Sequence, residues 1–197
     1  MVRDDRAQGH TLEGIVAALL IVTSVAFALQ VTAVTPLTAS TASQHVETQY
    51  EHAATGVLAS TAASDEIDTT LRYWNESSAG FHGSADNGFY VGTAPPTPFG
   101  DNLNETFDDP GVAYNVDVTY VTSDGTLANR RVVHFGQPTD TAVTATRTVV
   151  LYDTDPVLDR NHEPTGSTLT NATYFAPDAY DGHLYNVVVV EVTIWRL

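Results

Sequence analysis

Cysteine and lysine are both absent from this chain. Without thiols there is neither a disulfide staple nor a thiolate metal site, and the compartment has to be read from other features. The 8 basic residues are all arginine, and they face 24 acidic ones. A net charge of −16 with no basic cluster argues against a nucleic-acid partner, because phosphate binding depends on grouped Lys and Arg that release counterions. Catalytic signatures are missing too. No H-E-x-x-H, G-x-S-x-G, P-loop or dinucleotide-binding glycine pattern occurs, so nothing supports nucleophilic or nucleotide chemistry, and no cofactor is implied. Long hydrophobic runs are scarce, with one exception near the N-terminus.

The acidic residues are dispersed among strand-like segments, and 43% of the chain is apolar. A disordered acidic tail would lack those segments. The reading is a solvated surface suited to very high salt, as in a halophile. At about 1 M salt the Debye length shrinks to about 3 Å, which removes most of the self-repulsion of so acidic a fold.

The one long apolar run, Ile15 to Val34, reads IVAALLIVTSVAFALQVTAV and carries no charge. As a helix it would be about 30 Å long, the hydrocarbon thickness of a bilayer. Its expected partner is therefore membrane lipid; a buried core helix is the alternative. Arg3 and Arg6 precede it, and the positive-inside rule keeps that side in the cytoplasm and sends the remainder out. Sequons at Asn75-Glu76-Ser77, Asn104-Glu105-Thr106 and Asn171-Ala172-Thr173 all lie beyond the run, and as N-glycosylation candidates they agree with export. A removable signal peptide is a second reading, since Ala26-Phe27-Ala28 offers a small-residue cleavage site.

A single carboxylate, Glu13, stands at the mouth of the apolar run in Gly9-His10-Thr11-Leu12-Glu13-Gly14. Charge next to hydrocarbon is costly, so an ionisable residue here invites a functional reading. This stretch resembles the type III signal of type IV prepilins, and the lysine-free, acidic composition with the leader Asp5-Arg6-Ala7-Gln8-Gly9 is similar to the pilin-like proteins of haloarchaea. His10 stands where bacterial members carry an aromatic residue, and Glu13 is fourth rather than fifth after the junction. The resemblance implies a prepilin peptidase that cuts between Gly9 and His10 and leaves the span in place. It also implies partners in other pilin-like subunits and the pilus assembly machinery. Cleavage would create an α-amine on His10, with which the Glu13 carboxylate of a neighbouring subunit could pair. The alternative for Glu13 is a first-turn residue favoured by the helix dipole, with Thr11 as N-cap.

After the span, Ala42, Val46, Tyr50, Ala53 and Val57 recur at helical spacing and predict an amphipathic stalk. Ser64 is a candidate cap for a short helix with Ile67, Leu71 and Trp74 on one face. Residues 76–110, rich in Gly, Ser, Pro and Asn, read as loops around a possible strand at Phe89–Val91. The period then becomes two: Val112 to Tyr120, a turn at Ser123-Asp124-Gly125, and Arg131 to Phe135 form a hairpin, followed by strands at Ala142–Tyr152 and Leu184–Trp195. The last is nearly continuous in valine, which marks an interior strand.

The expected fold is α+β: a long N-terminal helix, membrane span plus stalk, packed on an antiparallel β-sheet head. The expected organisation is a leader at residues 1–9, span and stalk at 10–62 and an extracellular head at 63–197. The seven histidines show no ligand spacing, and His45 and His52 read as a surface pair. The stretch from Asp153 to Glu163 has hard oxygens suited to Ca²⁺ but lacks the loop glycine, so no metal ligands are assigned. The leading functional expectation is a non-enzymatic, pilin-like subunit of a cell-surface filament. The alternatives are a single-span anchored binding protein that does not polymerise and, third, a secreted enzyme.

Overall fold

The computed structural model describes the backbone of residues 4–197 and, within its first helix, side chains from Leu12 to Gln30 and from Gln44 onward. That helix, α1, spans Asp4–Ala63 and is helical through Pro36. Division of the chain at Val46 and Glu47 gives two compact units.

In the first unit, Leu12–Gln30 is long and apolar enough to cross a membrane, with a mean hydropathy of 2.3 and none of it buried. Thr23, inside this stretch, turns its hydroxyl back onto the Leu19 carbonyl at 2.8 Å. A hydroxyl satisfied within its own helix is tolerated in hydrocarbon.

The second unit begins at Glu47 and so takes in the last turns of α1. It continues through α2 (Glu66–Arg72), β1 (Trp74–Asn75), β2 (Gly80–Phe81), β3 (Tyr90–Val91) and α3 (Pro98–Phe107). The rest is mostly strand: β4 (Val112–Val121), β5 (Leu127–His134), β6 (Val143–Tyr152), β7 (Pro156–Leu158), β8 (Pro164–Thr168) and β9 (Leu184–Arg196). The main sheet has the order β3-β5-β4-β9-β6. Every pairing in it is antiparallel except the short β3–β5 pair, which is parallel. The β4–β5 hairpin turns where Ser123-Asp124-Gly125 predicts it: Thr122 N–H donates to the Thr126 carbonyl at 2.8 Å, and Gly125 takes the positive φ of 81° that the turn requires. The valine-rich β9 is interior, between β4 and β6.

Register places Tyr114, Val116 and Val118 of β4 opposite Ile194, Val192 and Val190 of β9, all on one face and all buried. This face forms one core cluster with Ala54, Val57 and Leu58 of α1, Ile67 and Leu71 of α2, and Phe99, Leu103 and Phe107 of α3. The α+β expectation is met, with the helix stripe of the predicted stalk carried inward from Ala53 to its neighbours Ala54 and Leu58. The opposite face is polar. There Thr146, Glu191, Asp117 and Arg131 stand abreast on four strands, and the Arg131 Nε lies 3.3 Å from an Asp117 carboxylate oxygen.

Four local expectations are corrected. Because α1 starts at Asp4, Thr11 lies inside the helix and is not its N-cap, and Glu13 is not in its first turn. Ser64 does not cap α2; its hydroxyl donates to the Ser60 carbonyl at 3.0 Å and finishes α1, while Asp65 at the N-cap has φ 59° and makes no side-chain cap. Trp74 leaves the helical stripe because α2 ends at Arg72 and the indole belongs to β1. Residues 76–110 are not all loop. Thr97 accepts the Gly100 N–H at 3.4 Å, and Pro98 opens α3 from its first position. The Thr97-Pro98 pair is a helix-start signal, but the surrounding prolines and glycines outweighed it. Gly100 is needed in that first turn, because a Cβ there would collide with the Pro95 carbonyl.

Among the described residues the fully buried polar side chains are Thr61, Thr70, Thr97, Asn115 and Asn186, so no carboxylate residue is fully buried, although Asp153 has one buried carboxylate oxygen and burial raises the Asp68 carboxyl above its usual range. With 24 acids against 8 arginines, the repulsion among them is unscreened at low salt. The protein in detergent should therefore lose cooperative melting as KCl falls from molar concentration to about 0.1 M, where the Debye length reaches about 10 Å. Circular dichroism melts across that series are the check, and a flat melting temperature would refute the halophilic reading.

Candidate functional site

The chemistry singled out in the sequence is divided between α1 and the strand-rich unit. On α1, the Gly9–His10 junction falls outside the residues whose side chains are described. Glu13 lies on the exposed surface of the helix, one residue inside the Leu12–Gln30 stretch. Around it the apolar side chains are open: Leu12 is 68% exposed and Ile15 60%. A charged group at the rim of such a helix is positioned to meet either the headgroup layer or a charge on another helix.

The sequons are distributed over the head with different local geometry. Asn75 is half-buried in β1, and its side-chain oxygen accepts the N–H groups of Ser77 and Ser78 at 3.0 and 3.4 Å. Asn104 is exposed on α3, where its side-chain oxygen accepts the Tyr114 hydroxyl at 3.2 Å. Asn171 is exposed at the end of a short 3₁₀ turn, Leu169–Asn171, with its amide donating to Thr168 Oγ1 at 3.2 Å.

Behind β1 and β2 is an aromatic cluster that sequence reasoning missed. The Trp74 ring meets Phe81, Tyr174 and Phe175 edge-on, with centroids 5.3 to 5.8 Å apart. Its indole N–H donates to the Thr173 carbonyl at 2.8 Å, and the Arg130 guanidinium lies 5.0 Å over the ring. Arg130 also donates to the Ala79 carbonyl at 2.8 Å, so one cation fastens the β1–β2 turn to the sheet. Tyr174 donates its hydroxyl to the Leu71 carbonyl at 2.9 Å, and burial pushes that phenol well above its usual range. No local pattern carries such a cluster, since Leu71 and Trp74 lie about a hundred residues from the Thr173 to Phe175 segment that they meet.

Two of the histidines meet at Tyr73, with ring centroids 5.0 Å (His82) and 4.6 Å (His162) from the phenol. Each is bound to backbone, His82 Nε2 to the Leu158 carbonyl and His162 Nε2 to the Pro96 carbonyl, both at 3.1 Å. Burial holds the His82 imidazole below its usual range, despite the opposing Leu158 hydrogen bond. His45 and His52 are exposed on α1. In the stretch from Asp153 to Glu163, two carboxylates bind nearby backbone: Asp155 accepts the Tyr152 N–H at 2.7 Å, and Asp159 accepts those of Asn161 and Glu163 at 2.8 and 3.0 Å, while a buried oxygen of Asp153 makes no hydrogen bond among the described residues. The Glu163 and Asn161 N–H groups hold the Asp159 carboxyl below the usual range. Among the described residues, no group of three or more His, Asp or Glu is placed to hold a metal ion.

The arrangement is thus an exposed apolar helix bearing Glu13 and a head in which Trp74, Arg130, Tyr174, His82 and His162 tie loops together. No curated protein and no solved structure matches this chain. One family model does match, over residues 6–194, which takes in both the apolar helix and the head. The chain belongs to that family, DUF7288, which is described as a family of unknown function.

Proposed function

We propose that the protein is a pilin-like surface subunit, held by the Leu12–Gln30 helix with its head outside, cut between Gly9 and His10, and drawn into a filament through that helix. The observation that carries this reading is the exposed apolar helix with a single carboxylate, Glu13, at its N-terminal rim. Helices in lipid gain little from hydrophobic burial, so packing and a rare charge pair decide how they associate. A Glu13 carboxylate and the α-amine released on a neighbouring His10 are such a pair, each costly alone and attractive together. The acidic surface keeps the head soluble in concentrated salt, and the exposed Asn104 and Asn171 are then the more accessible glycan acceptors, with Asn75 the less.

Mass spectrometry of the membrane-extracted protein tests the processing step. The expected mature N-terminus is His10. A terminus at Leu29 would make the chain a secreted protein, and an intact Met1 would leave a single-span anchor that does not polymerise.

A further inference from the structure

The main sheet has two unlike edges. On one side β3 is 2 residues long, and the chain beside it is engaged: Gly92 N–H donates to the His134 carbonyl at 3.0 Å, and Arg130 holds the Ala79 carbonyl. On the other side β6 runs for 10 residues, pairs among the described residues only with β9, and reads VTATRTVVLY, with Arg147 as its single charge in a chain of net −16. Long edge strands are normally blunted by charge, proline or a bulge, because their free N–H and C=O groups recruit another strand.

Which groups are free follows from the ladder. The Val121 N–H and carbonyl of β4 both bond the Asn186 side chain on β9, at 3.1 and 2.8 Å, so odd-numbered β4 residues direct their backbone groups to β9. Alternation along the paired registers then turns odd-numbered β6 residues toward β9 and even-numbered ones outward. Tyr152 agrees, its N–H bonding Asp155 away from β9. The backbone groups of Thr144, Thr146, Thr148 and Val150 therefore face the open edge. A groove of about 480 Å³ flanks it, with Asp65, Asp68 and Asp155 among its lining residues beside Arg72 and Arg147.

We propose that this edge docks a second copy of the chain, β6 against β6, as an antiparallel pair centred on Thr148. In that register Thr148 faces Thr148 of the other copy, Thr146 faces its Val150, and Arg147 faces its Val149. A pair centred on Arg147 would set the two guanidinium groups opposite each other, which like charges resist. Centring on Thr148 carries each Arg147 toward the other copy's carboxylate-rich groove. The strand itself carries no carboxylate, and molar salt lowers the repulsion between two acidic copies. Because each copy uses its edge once, the contact closes as a two-fold pair and does not extend. It holds whether or not the anchored chains polymerise, joining two heads on one membrane or two filaments side by side.

The absence of cysteine makes the test direct. In the full-length chain, in membranes at molar KCl, Thr148→Cys should give a disulfide-linked dimer under mild oxidation, since the Cα atoms of such a hydrogen-bonded pair lie about 5.5 Å apart, within disulfide reach. Leu127→Cys, at a position 72% exposed beside the β4–β5 turn, should stay largely monomeric. Adding Thr146→Lys and Val150→Lys sets like charges opposite one another across the pair. Both sites lie on the polar face, so melting should be unchanged while the dimer yield falls about tenfold. Thr146→Pro, which removes an outward N–H and leaves the β9 ladder intact, should act in the same direction. Equal yields from the Thr148→Cys and Leu127→Cys chains, a yield insensitive to both blocking changes, or a disulfide to a different protein would each overturn the proposal.

Discussion

A chain beginning at Glu47 should fold and melt cooperatively in molar KCl, whereas one beginning at Ala63 should not. The difference is the last turns of α1, where Ala54, Val57 and Leu58 join the main core cluster and Thr61 is buried, its hydroxyl donating to the Val57 carbonyl. Burying a Val or Leu is worth about 1.5 to 3 kcal/mol each, and removing the segment also bares the apolar side chains that it covers. The sum, roughly 4 to 8 kcal/mol, is comparable with the total stability of about 5 to 15 kcal/mol typical of a domain. Without that margin the shorter chain should bind hydrophobic dye and show a broad, weak melt. Paired melts of the two fragments by near-ultraviolet circular dichroism decide it. Equal sharp transitions would show that the α1 contacts contribute little.

Glu13→Gln should leave export, membrane insertion and any cleavage after Gly9 unchanged, yet reduce the protein recovered in sheared filaments by about tenfold or more, the factor that about 1.4 kcal/mol per contact corresponds to. The substitution keeps the side chain's length and removes its charge, so the apolar helix becomes easier to bury while the register signal disappears. Packing between apolar helices in lipid has little directional force, and a single charge pair selects the axial offset. Sheared and membrane-retained fractions would be compared for the two chains, with the N-terminus of each checked by mass. Equal sheared fractions would leave Glu13 as a charge at the rim of the apolar stretch with no part in assembly. If even the unaltered chain never appears in the sheared fraction, the single-span anchor is the better description.

Much of the architecture was legible because it rests on local periodicity. Leu12–Gln30, nineteen mostly apolar residues with Glu13 as the single charge, is long and apolar enough to cross a membrane, and a helix is the form in which such a segment satisfies its backbone in hydrocarbon. Alternation in Val112–Val121 and Leu184–Arg196, with a Gly at the turn beside Asp124, similarly specifies strands and a hairpin. What was misread depends on contacts that no window contains. The start of α3 needs Gly100 to pass close to the Pro95 carbonyl, and Thr97 is held by Thr70 of α2, hydroxyl to hydroxyl at 2.6 Å. Trp74 looked like the end of a helical stripe because Ile67, Leu71 and Trp74 have helical spacing, but its place is decided by Arg130, Phe175 and the Thr173 carbonyl.

The sequence by itself determined that one segment can cross a bilayer, that Glu13 stands at its rim, that the surface is acidic, and that strands dominate after residue 110. These are properties of composition and short-range period, which each residue carries wherever the chain goes. Only the tertiary structure decided that the end of α1 belongs to the head's core, that Asn104 and Asn171 are exposed while Asn75 is half-buried, and that β6 is left with an open edge. Those depend on which strand pairs with which and which face is covered. Strand order is set by burial and hydrogen bonding summed over the whole sheet, so β6 has an open side only because β9, more than thirty residues later, takes the interior place between it and β4.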